Sequence, residues 1–217
     1  MERSSSFIFN KHLEEFLTIK ALKGVHFIKY ILLSFLLLLQ GLHAQEIVEW
    51  DGVYQLEISD FQSKGSRIGG TDLYSLHTAS NIDFAYAMNS AVFMFTKNFN
   101  SKVSCSFDQA TASLIAPDTL TANNLLAFAR YSFDLSELYA RKLRKKLYES
   151  KGAFSQPNFF EKLFQENQRE LTARYTDAGE KTNLGVEGML LKMLHQEVLD
   201  EIDDLSDFCK SCKPVRK

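Results

Sequence analysis

Histidine, net charge and long apolar runs are all scarce in this 217-residue sequence, and each scarcity excludes something. Of five histidines, only His77 and His195 lie beyond residue 44, so residues 45–217 cannot build a three-histidine metal site. The apolar stretch Tyr30–Leu39 covers 10 residues, well short of the roughly 20 needed to cross a bilayer, so no stable membrane span is expected. A formal net charge of −2 gives no electrostatic case for nucleic acid as a partner. Internal repeats and low-complexity linkers are missing too. What is present is an ordinary globular composition, 45% hydrophobic and 24% charged, with room for one sizeable core.

The apolar stretch follows Lys20, Lys23 and Lys29 and leads into Leu42-His43-Ala44. That order of basic, apolar and small-residue segments is a secretory signal, with cleavage expected after Ala44 and a secreted or periplasmic destination. Residues 1–24 form a polar extension ahead of it, either translated or the product of a start codon assigned too early, with Val25 as the start. No cysteine stands at the cleavage site, which argues against a bacterial lipoprotein anchor. Without residues 1–44 the chain keeps 20 basic and 24 acidic side chains, a net charge of −4. Residues 45–217 are read as one domain with a short C-terminal C-x-x-C tail.

Strand signals fill the first half of that domain. Glu46–Asp60 is rich in β-branched and aromatic residues and is broken by Asp51-Gly52, which predicts two short strands around a turn. The Ser- and Gly-rich FQSKGSRIGGTD predicts a loop. Further strands are expected at 73–78, 82–88, 91–97 and 102–107; Ile82, Phe84, Tyr86 and Met88 share one face by alternation. After Pro117-Asp118 the pattern turns helical. Thr121 can cap a helix carrying Leu125, Ala129, Phe133, Leu138, Leu143 and Leu147, which Gly152 stops. A second helix is expected from about Pro157 to Arg174 and a third over 186–205. Strands first and helices after specify an α+β fold: a mostly antiparallel N-terminal sheet followed by about three helices.

Within the first helix, FDLSELYARKLRKKL (133–147) resembles HEQGHFDIAELYARKLRKAL, a segment of a bacterial family of unknown function, number 922, described as predicted secreted zinc-dependent proteases. Weaker similarity extends to Trp50-Asp51, to Asp60–Ser63, to the strand at Ala79–Tyr86 and to YTDAGEKTNLG (175–185). The resemblance implies a zincin-like scaffold. It places the family's first His on Phe128, its Glu on Ala129, its second His on Ser132 and a third His on Leu184.

Those substitutions remove the chemistry. An H-E-x-x-H helix presents two imidazoles to zinc from one face, and its Glu polarises the metal-bound water. Phe128 cannot donate an electron pair, a neutral Ser132 hydroxyl is a poor zinc ligand, and Ala129 cannot act as a base. No catalytic residue, metal or cofactor is therefore expected. The resemblance leaves a degenerate site at Phe128, Ala129, Ser132 and Leu184, with Tyr131, Asp134 and Glu137 as further cleft-lining candidates.

The remaining polar residues have plainer readings. Asp134 and Glu137 are expected to pair with basic side chains of their own helix, Glu137 with Arg141 at i+4. His195 is read as an ordinary helix-face residue, and Arg141–Lys146 (RKLRKK) as a solvated face near a helix C-terminus. Cys209 and Cys212 suggest a disulfide in an exported protein, with redox exchange or half of a zinc site as other readings. Cys105 reads as a small buried hydrophobe.

The function expected is a non-catalytic pseudoprotease of the bacterial cell envelope, binding an unidentified protein or peptide or serving a structural role. The alternative is a hydrolase, zinc-dependent or using another nucleophile such as Ser132, although Ser132 lacks a G-x-S-x-G context.

Overall fold

Helix α1, Thr119–Glu149, is the central element of the unit spanning residues 45–217, and 18 of its 31 residues are buried. Apolar residues recur on several of its faces, so it has neighbours on all sides rather than one stripe against a core. Strands β4 (Ser80–Phe84), β5 (Val103–Asp108) and β6 (Ser113–Ala116) pack on part of its surface, and helices α2 (Phe159–Thr182) and α3 (Gly188–Asp204) on the rest. This computed structural model describes residues 47–84, 95–96, 98–150 and 158–213. They belong to one compact unit, Gln45–Lys217.

The strands form two three-stranded sheets. One has the order β1 (Ile47–Glu49), β5 (Val103–Asp108), β4 (Ser80–Phe84), antiparallel throughout, with Ile82 opposite Cys105. The other has the order β2 (Arg67–Ile68), β6 (Ser113–Ala116), β3 (Ser75–His77), where β2 is parallel to β6 and β3 antiparallel. The chain passes from one sheet to the other between β3 and β4. Ala79, buried at that junction, has φ +44°. The fold is α+β, with a largely antiparallel strand region followed by three helices.

Alternation works as expected in β5, where Val103, Cys105 and Phe107 are buried. In β4, Ile82 and Phe84 face the core, while Tyr86 and Met88 lie outside the described residues. So do the signal segment, Gly152, Pro157 and all of the 91–97 strand except Phe95 and Thr96. The second strand expected within 46–60 does not form. Asp51 Oδ1 accepts from the backbone N–H of Val53 and Tyr54, and Asp60 Oδ2 accepts from Glu57 N–H, so side chains take the donors a ladder would need. Asp60 Oδ1 also accepts from Tyr54 OH and Gln109 Nε2. Strands β2 and β6 arise where a loop or nothing was expected.

The cap of α1 lies three residues before Thr121. It is Asp118, accepting from Thr121 N–H at 2.7 Å, so Thr121 is the capped residue rather than the capping one. Helix α2 runs eight residues beyond Arg174 and ends in a left-handed turn at Asn183, Leu184 and Gly185. A Cβ on Gly185 would sit 2.2 Å from the Asn124 carbonyl oxygen, so only glycine lets this turn lie against α1. Among the described residues no helix is long and apolar enough to cross a membrane.

Candidate functional site

The face of α1 bearing Phe128 and Ser132 looks onto α2, the α2–α3 turn and the β3–β4 junction. Phe128 is fully buried, its ring edge-on to Tyr175 at 5.3 Å and tilted against Tyr131 at 5.7 Å. A Cβ on Gly179 would lie 3.4 Å from both Phe128 Cζ and Leu184 Cδ2, so these two side chains converge over that residue. Leu184 holds φ +51°, a left-handed conformation that costs a leucine roughly 1–2 kcal/mol and is kept by its surroundings. Ala129 is fully buried. Phe128 and Leu184, far apart in sequence and both expected from the resemblance to mark a former site, are thus brought together as an apolar cluster. Among the described residues no group of three His, Cys, Asp or Glu side chains is placed to hold a metal.

Ser132 is turned toward a cavity of about 280 Å³. Helix α1 contributes Ser132 and Ser136 at i and i+4, and α2 contributes Gln168, Leu171, Thr172 and Tyr175 at i, i+3, i+4 and i+7. Leu76, His77, Thr78 and Ser80 complete the lining from β3 and β4. Ser132 Oγ donates to Thr78 Oγ1 at 3.3 Å, and Ser136 Oγ donates to the Ser132 carbonyl at 2.9 Å. Burial raises the Tyr175 phenol above its ordinary value of 10.0, opposed by a hydrogen bond with Thr78. The Ser132 hydroxyl is therefore held in a hydroxyl chain rather than against a base.

The other cleft candidates are placed differently. Tyr131 is 1% exposed and Glu137 2% exposed, so neither lines an open cleft. Asp134 does not pair within its own helix: the cation at i−4, Arg130, donates instead to the Leu56 carbonyl at 2.8 Å. Asp134 accepts from Trp50 Nε1–H at 2.7 Å, and its Oδ2 lies 2.6 Å from His195 Nε2 of α3. His195 is therefore a tertiary contact rather than a plain helix-face residue, with Tyr131 edge-on to it at 6.0 Å.

Glu137 pairs with Arg141 as the i+4 spacing implies, at 3.0 Å, and with Arg144 at 2.7 Å. Both arginines are buried, so RKLRKK is not a uniformly solvated face. Arg141 donates to the Ile202 carbonyl at the end of α3, at 2.7 Å, placing a cation at that helix's negative pole. Its guanidinium also lies 5.3 Å from the centre of the Trp50 ring. Arg144, 1% exposed, donates to the carbonyls of Val103 and Phe208. Only Lys142, Lys145 and Lys146 keep the expected surface character.

Cys209 and Cys212 form a disulfide, which takes both sulfurs out of any zinc half-site. Its hairpin is held by Asn98 and Asn100, whose side-chain amides donate to the Cys212 carbonyl at 2.8 and 3.0 Å. Cys105 is buried, and desolvation, reinforced by the Glu137 carboxylate, pushes its thiol well above its ordinary range.

The sequence did not single out Thr78, Gln168 or Thr172, and it placed Tyr175 only within the resemblance. The signal was the i, i+3, i+4, i+7 spacing on α2, which mixes polar and apolar types and so reads as neither core nor solvent face. Comparisons with family models, with curated proteins and with solved structures returned no match for this chain.

Proposed function

We infer that this chain is an exported, non-catalytic protein of the bacterial cell envelope, a pseudoprotease-like scaffold with a binding or structural role. The observation that carries the reading is the convergence of Phe128 and Leu184 over Gly179, beside buried Ala129. Resemblance to a zinc protease family aligns these positions with metal and base residues, and they support it by meeting in space. What meets there is phenyl and isobutyl, which repel a hydrated cation rather than bind one. The cavity next to the cluster gives a binding role a place.

The test is metal content and hydrolysis on the purified protein. Elemental analysis after incubation with zinc should show no stoichiometric metal at the α1 site, and a general peptide library should stay intact. One zinc per chain that persists in a Cys209→Ser, Cys212→Ser variant overturns the reading. So does peptide hydrolysis that disappears in Ser132→Ala.

A further inference from the structure

We propose that the cavity between α1, α2 and the β3–β4 strands is a binding site for one neutral, hydroxylated sugar ring. This rests on the reading of the protein as a non-catalytic binder, and names the ligand class in place of a protein or peptide.

Size argues first. At about 280 Å³ the cavity falls just below the usual range of ligand sites, roughly 300 to 1,000 Å³, and suits a single ring rather than a length of chain. Charge argues second. Among the described residues lining it none is Asp, Glu, Lys or Arg, so an ammonium group would enter without a counter-charge and an anion would find only the exposed His77, no permanent cation. Polar chemistry argues third. Ser80, Gln168 and Thr172 each offer both a donor and an acceptor, as a sugar hydroxyl does, so either partner can reorient to complete the bond. Leu76, Leu171 and the Tyr175 ring supply the apolar surface that a sugar's C–H face needs.

The site is also set in advance. Ser132 donates to Thr78, and Ser136 is anchored on the Ser132 carbonyl, so these hydroxyls already have fixed directions. Between Thr78 and Ser80, buried Ala79 adopts φ +44°. Such a conformation persists only where the surroundings impose it, and non-glycine examples gather at functional sites.

The experiment is a titration of the isotope-labelled full chain followed by amide chemical shifts. The probes are methyl glucoside and N-acetylglucosamine as single units, their maltotriose and tri-N-acetylchitotriose counterparts as chain-borne units, glucose 6-phosphate, and a blocked alanine tripeptide. At least one neutral single unit should give saturable shifts at Thr78, Gln168 and Tyr175, with glucose 6-phosphate binding at least about tenfold more weakly. Gln168→Leu and Thr172→Val, on a partly exposed helix face, should melt as the parent does and weaken binding by about tenfold or more. A trisaccharide that binds better than its single unit assigns the sugar to a polymer terminus; equal binding assigns it to free sugar. Absence of saturable shifts with every neutral saccharide, or unchanged binding in both variants, overturns the proposal. Uncleaved tripeptide binding in place of sugar overturns it while leaving the non-catalytic reading intact, whereas cleavage of any probe overturns that reading as well.

Discussion

Glu137 accepts from Arg141 and Arg144, and all three charges are removed from water. Desolvating three ions is costly, and the arrangement holds because each guanidinium also finds backbone carbonyls. Removing the carboxylate charge should therefore cost more than the ion pairs are worth. Glu137→Gln leaves two buried cations without a counter-ion, and urea unfolding should show a loss of about 3–5 kcal/mol. Lys145→Ala provides the contrast. Its 4.0 Å pair with Glu149 is at the surface, and its removal should change stability by less than about 0.5 kcal/mol. Equal effects would show that the buried cluster is not under the electrostatic load its geometry implies.

At the scale of elements, α1 depends on its first turn, where Asp118 caps Thr121. The hydrogen bonds from Thr121, backbone first and then side chain, hold the Asp118 carboxyl below its ordinary 3.8. Because the folded value is the lower one, the cap's contribution is full above the ordinary carboxylate range and is lost as pH falls through the lowered value. Asp118→Ala should lower the melting temperature at neutral pH. Asp118→Asn should keep most of the cap while removing its share of the acid sensitivity, as read by circular dichroism melts across the acid range. The helices were legible because apolar residues recur at 3.6 spacing after Pro117-Asp118, although the cap is Asp118 rather than the expected Thr121. The far end of α2 was missed because Tyr175–Thr182 is polar and interrupted by Gly179, whose place is explained only by Phe128 and Leu184 crossing it. Strand β2 was missed because its two residues pair through a parallel neighbour 48 positions away, which no local pattern records. At the site, the expectation for Phe128, Ala129, Ser132 and Leu184 rests on the resemblance. The cavity was not legible, since its lining comes from three separate segments of mixed polarity.

For the whole molecule, the C-terminal hairpin joins parts that the sheets and helices leave apart. Its carbonyls serve Asn98, Asn100 and Arg144, Lys210 pairs with Glu49 of β1, and Phe208 meets Tyr148 edge-on. The Cys209–Cys212 disulfide closes a short ring, for which loop entropy gives about 2 kcal/mol. Cys209→Ser with Cys212→Ser, or reduction of the parent, should lower unfolding stability by that amount, and unchanged stability would mean the asparagines alone hold the hairpin. The same contacts impose an order on synthesis. The acceptor that Arg144 finds at Phe208 is 64 residues further along, and the one that Asn100 finds at Cys212 is 112 residues further. At ribosomal speeds of roughly 5–20 residues per second, the interior cation on α1 exists for several seconds before its acceptor at Phe208 does. The nascent chain can wind its helices early, but the stitch between α1 and Phe208 closes only after 64 further residues have been added.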